Sequence, residues 1–104
     1  MQTLRQIEFS LFDLTIHSKN PALNSTQIQS VLDGIRSQFS VLPTASYNRF
    51  QHSFSHIFAG GYAAGYYSYK WAEVLASDAF DRFEAEGIFN TKTGHEFREA
   101  ILAV

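Results

Sequence analysis

Apolar residues recur along this chain at helical rather than alternating spacing. Leu4, Ile7, Leu11 and Leu14 form one stripe over residues 3–18, and Phe9, Phe12 and Ile16 form another. The pattern predicts a first helix that is apolar, and therefore covered, on two sides. Asp13 and His17 stand four apart on the remaining face and read as a solvated pair, which contributes little. Asn20-Pro21-Ala22-Leu23-Asn24 reads as a turn, with Asn24 or Ser25 as the N-cap of a second helix over 26–39. Ile28, Val31, Leu32, Ile35 and Phe39 make its stripe, with Gln27, Gln29, Ser30 and Asp33 away from it. Residues 40–59 mix Ser, Thr, Pro and Asn with aromatics and show no period, which predicts a long ordered loop with one short helical turn.

Beyond Gly60 and Gly61 the helical pattern resumes. It runs from Tyr62 for about six turns to Gly87, a natural C-cap. At roughly 100° per residue, Tyr62, Tyr66 and Tyr69 fall within about 60° of one another, so three phenols would share one helix face. Tyr67, Trp71, Val74 and Leu75 lie roughly opposite. The far half carries Glu73, Asp78, Asp81, Arg82, Glu84 and Glu86, which read as a solvated face. Asn90 or Thr91 then caps a last helix over 92–103 with Phe97, Ile101 and Leu102 as its stripe. The prediction is an all-α chain: four helices, one of them long and central, with a long ordered loop before it. It forms a single unit over residues 1–104, without repeats.

Composition narrows the function classes. The chain has 104 residues and a net charge of −2, its 8 basic and 10 acidic residues scattered. That leaves no electrostatic case for nucleic acid or an anionic membrane surface. There is no cysteine, hence no disulfide and no thiolate chemistry. No apolar run reaches about 18 residues and no basic-then-apolar leader opens the chain, so neither a membrane span nor a signal peptide is expected, and the default location is cytoplasmic. A first helix apolar on two sides leaves surface that a second copy would cover, so the isolated chain is expected to self-associate as a homo-oligomer.

Two readings compete for the tyrosines. They are half-buried aromatics with their polar tips outward, or they donate hydrogen bonds to a ligand whose backbone approaches past Gly60 and Gly61. His56, the Gly60-Gly61-Tyr62 step and the Tyr66-Tyr67-x-Tyr69-x-Trp71 run closely resemble the C-terminal part of the catalytic domain of the zinc oligopeptidases. That family includes thimet oligopeptidase, neurolysin, oligopeptidase A and dipeptidyl carboxypeptidase. Phe9-x-x-Phe12-Asp13, Glu86-Gly87-Ile88-Phe89-Asn90 and Thr93-Gly94 resemble oligopeptidase A as well, so the likeness covers nearly the whole chain.

The resemblance implies a metalloendopeptidase that hydrolyses short peptides with zinc as cofactor. It makes Tyr69 the oxyanion donor, His56 a catalytic partner near the scissile bond, Tyr62 and Tyr66 substrate-binding, and Gly60 and Gly61 the source of loop mobility. The family's zinc motif, His-Glu-x-x-His, does not occur in this sequence. His52-Ser53-Phe54-Ser55-His56 has serine where the general base belongs, and His95-Glu96-Phe97-Arg98-Glu99 has glutamate where the second histidine belongs. The chain is therefore expected to hold no metal itself and to be inactive alone. It reads as the substrate-side piece of a peptidase, whose metal helix the family places upstream. The alternative is a free-standing, non-catalytic helical module that binds peptides or proteins. An upstream reading frame encoding the metal helix would separate the two.

Overall fold

A computed structural model describes residues 2–19 and 21–103. It is all-α: α1 (Gln2–His17), α2 (Ser25–Phe39), a 3-10 turn (Phe50–Ser53), a one-turn α3 (Ser55–Phe58), α4 (Ser68–Glu86), α5 (Thr91–Phe97) and a π turn (Arg98–Leu102). The described residues divide into two compact units between Tyr69 and Lys70.

In the first unit α1 and α2 pack on each other. Asn24 caps α2 through a reciprocal pair: its side chain accepts the Gln27 N–H at 2.9 Å, and the Gln27 side chain accepts the Asn24 N–H at 2.9 Å. Phe9, Phe12, Leu32, Phe54, Ile57 and Tyr66 form the core. Complete burial of Phe12 and Leu32 is worth about 1.5–3 kcal/mol each. Phe9 stacks on Phe50 at 4.5 Å, and Phe54 meets Tyr66 edge-on at 5.1 Å. The aromatic loop is thereby tied to α1. Glu8 is buried too, its charge met by Arg36 Nε at 3.0 Å.

Only one of the two stripes expected on α1 is covered. Phe9 and Phe12 are buried, whereas Leu4 and Leu14 remain exposed. Asp13 departs further from expectation: it is fully buried rather than solvated. Residues 40–59 contain two short helical turns instead of one, formed where the Phe50 and Phe54 side chains enter the core.

The largest difference lies at Tyr62. Residues 62–67 are not helical, and the long helix begins at Ser68. Successive three-residue hydrogen bonds replace the helical ladder: Gly65 N–H to Tyr62 C=O at 2.8 Å, Ser68 to Gly65 at 3.0 Å, and Tyr69 to Tyr66 at 3.2 Å. The N–H groups of Ala64 and Tyr66 turn instead to the Asp13 carboxylate.

In the second unit Gly87 ends α4 with φ 104°, its N–H bonded to the Phe83 carbonyl at 2.9 Å. Asn90 caps α5 by accepting the N–H groups of Lys92 and Thr93 at 3.0 and 3.3 Å. The last helix is shorter than expected. It passes into a π turn at Arg98, closed by the Ala103 N–H on the Arg98 carbonyl at 2.9 Å. The acidic face of α4 is solvated as expected, and no residue of α4 is buried.

Candidate functional site

Four side chains gather at the end of the first unit. Tyr62 and Tyr69 stack at 5.1 Å, and Tyr66 meets Tyr69 at 5.0 Å. The His56 imidazole lies 6.2, 5.8 and 6.3 Å from the rings of Tyr62, Tyr66 and Tyr69. The three phenols expected on one side are thus together, though not through helical periodicity. Tyr62 and Tyr66 come from the turn and Tyr69 from the first residues of α4. Tyr66 is 7% exposed with its ring in the core, Tyr69 is partly buried, and Tyr62 and His56 face solvent. Tyr67 is exposed and has no aromatic partner in this group.

The glycines act on the backbone. At Gly60 a Cβ would fall 2.9 Å from both the Cα and the carbonyl oxygen of His56, so only glycine allows the chain to double back there. Gly61 has φ 79°. The turn is closed by the Tyr62 N–H donating to the His56 carbonyl at 3.0 Å, which places Tyr62 beside His56. Gly60 thus permits a close backbone approach within the chain, and Gly61 supplies a left-handed backbone conformation.

The Tyr69 phenol has its pKa raised above the ordinary tyrosine value. Hydrogen bonding with Tyr62 is the largest cause, followed by partial burial and by the electrostatic influence of Tyr62 and Tyr66. A phenol in this setting keeps its proton through the neutral range, as a hydrogen-bond donor must. Two phenols, an imidazole and a third phenol anchored in the core can present several donors to one carbonyl or peptide backbone.

Sequence reasoning paired Asp13 with His17 but missed its burial and its link to the tyrosine turn. Its carboxylate accepts the N–H of Ala64 at 2.8 Å and of Tyr66 at 2.9 Å. His17 Nδ1 lies 2.8 Å from Asp13 Oδ1. The available signal was an acidic residue lodged directly after a core phenylalanine, on a helix apolar on two sides.

Residues 1–104 match the model of peptidase family M3. The chain belongs to that family. It is 55% identical to oligopeptidase A of Escherichia coli (strain K12) over 100 residues, covering 96% of this chain and 15% of that protein. It is 54% identical to oligopeptidase A of Salmonella typhimurium over 99 residues, covering 95% of this chain and 15% of the relative. Saccharolysin of Saccharomyces cerevisiae is 35% identical over 102 residues, covering 97% of this chain and 14% of its own length. The chain thus spans about 15% of the length of the oligopeptidase A relatives it matches. Among its described residues, no group of three His, Cys, Asp or Glu side chains could hold a metal ion. No helix among them is long and apolar enough to cross a membrane.

Proposed function

We propose that this M3 family chain is the C-terminal part of the catalytic domain of a cytoplasmic zinc oligopeptidase, where its tyrosine cluster binds short peptides and stabilises the oxyanion formed during their hydrolysis. The observation that carries the reading is the convergence of Tyr62, Tyr66, Tyr69 and His56. Attack on a peptide carbonyl drives negative charge onto its oxygen, and a positioned phenol donating to that oxygen favours the transition state over the ground state.

Tyr69 has the oxyanion role, with His56 acting beside it near the scissile bond. Tyr62 and Tyr66 bind the substrate backbone, and Gly60 and Gly61 shape the turn that carries them and let it move. The family's His-Glu-x-x-His motif does not occur in this sequence, and in this reading the zinc ligands are supplied by another part of a longer protein. This chain alone hydrolyses nothing.

The test exchanges residues 1–104 for the matching segment of Escherichia coli oligopeptidase A and follows cleavage of a short fluorogenic peptide. Tyr69→Phe removes one hydroxyl and no ring, and lowers kcat by about 10²–10³-fold with a much smaller change in KM. Tyr67→Phe, outside the cluster, retains kcat. If both variants kept wild-type kcat, the cluster would be structural and the chain a non-catalytic module.

A further inference from the structure

Asp13 is buried more deeply than any other charged side chain among the described residues, and it sits one turn before the end of α1. A carboxylate withdrawn from water persists only where its oxygens are paired and hydrogen-bonded. Here both are. Oδ1 accepts the N–H of Ala64 and Oδ2 the N–H of Tyr66, contacts that join positions 51 and 53 residues apart. On the other side His17 reaches Oδ1 from the next turn of α1, and its ring lies 6.1 Å from that of Phe58.

The groups that Asp13 holds lie inside the tyrosine turn. Ala64 has φ 53°, a left-handed conformation that alanine keeps only where its surroundings impose it. Tyr66 stands between Tyr62 and Tyr69 in sequence and packs on Tyr69. The apolar core already secures α1 through Phe9 and Phe12. An apolar side chain in place of Asp13 would leave both N–H groups without their partner.

We infer that Asp13 is a positioning residue: its carboxylate fixes the backbone of Ala64 and Tyr66, and so sets the spacing of the Tyr62, Tyr66 and Tyr69 phenols around His56. The inference rests on the proposed role of that cluster, but the local geometry can be tested without it.

The first measurement is amide hydrogen exchange by NMR on the 104-residue chain. Ala64 and Tyr66, which have no backbone partner for their N–H groups in the turn, are expected to be protected. Asp13→Asn keeps the side-chain shape but offers one carbonyl oxygen to two donors. It should speed exchange at both amides while leaving Leu32 in α2 protected. Unprotected Ala64 and Tyr66 amides in the wild-type chain would overturn the inference even if the variant failed to fold.

The second measurement is kinetic, in the exchanged oligopeptidase A. Asp13→Asn should lower kcat by about 10- to 100-fold, the scale of a small displacement of reacting groups, and raise KM less. Leu32→Ala, a destabilising core change on α2 that leaves every Asp13 hydrogen bond in place, should keep kcat per folded molecule within about twofold. If Asp13→Asn affected kcat no more than Leu32→Ala while Tyr69→Phe abolished it, Asp13 would be structural and the catalytic reading would stand. If Tyr69→Phe were inert but exchange at Ala64 and Tyr66 still depended on Asp13, the catalytic reading would fall and the local geometry would stand.

Discussion

Ala64 and Gly60 show how single residues shape the tyrosine turn, and they respond to substitution in opposite ways. A non-glycine residue in the left-handed region costs about 1–2 kcal/mol, whereas glycine costs roughly 0.5–1 kcal/mol in lost chain entropy. Ala64→Gly at φ 53° should therefore be neutral or stabilising by up to about 1 kcal/mol, read as a higher urea midpoint at unchanged slope. A clear drop in midpoint would show that the Ala64 methyl group contributes packing. Gly60→Ala meets backbone atoms of His56 at 2.9 Å, which cannot move aside as a flexible side chain would. It should destabilise by about 1–3 kcal/mol, and an unchanged urea midpoint would contradict the close approach. Both glycines before Tyr62 stood out in the sequence, but as a helix start and an opening for a ligand. The tight approach of Gly60 to the His56 carbonyl is a contact not written in any local pattern.

At the scale of elements, hydrophobic period located α1 and α2 to within a residue, because each buries a stripe against the other. It failed at Tyr62–Tyr67, where the spacing is helical and the backbone is not. Side-chain period reports which residues can share a face. It does not report where backbone N–H groups find partners, and the Asp13 carboxylate, reached across 51 residues, decided that. The tyrosines were still correctly grouped, because a turn leading into a helix brings the same three side chains together.

The junction of α4 and α5 offers an independent test of element-level chemistry. The Glu86 carboxyl is held below its ordinary pKa of 4.5, first by the Thr93 hydroxyl and then by Arg82, both of which donate to the ionised form. A depressed pKa in the folded state gives stability that is present above about pH 4.5 and lost as pH falls through the folded value. Glu86→Gln should remove this component, so its thermal midpoint should fall less than wild type between neutral pH and about pH 3.5. Equal falls in the two proteins would mean that the exposed pair adds nothing measurable.

At the scale of the whole molecule, the two units differ in how well they cover themselves. The first has a closed aromatic and aliphatic core, whereas α4, 19 residues long, buries none of its side chains. Trp71 is 60% exposed, Leu75 64% and Phe89 94%. Most helical stability in proteins comes from packing an apolar face, and so much open apolar surface marks an interface. The family relatives are several times longer than this chain, so a longer protein has material to cover these side chains. In the isolated chain a second copy is the available cover, and symmetric pairing is the commonest solution. Sedimentation equilibrium should therefore show masses above the 11.8 kDa of one chain, rising with concentration. Trp71→Glu with Leu75→Glu places charge in the contact and should shift the distribution toward single chains without disturbing the first unit, whose core contains neither residue. A single 11.8 kDa species at high concentration would mean that these side chains are satisfied by water alone. Association that the double substitution left unchanged would move the contact to other exposed residues, such as Phe89, Ile101 and Leu102.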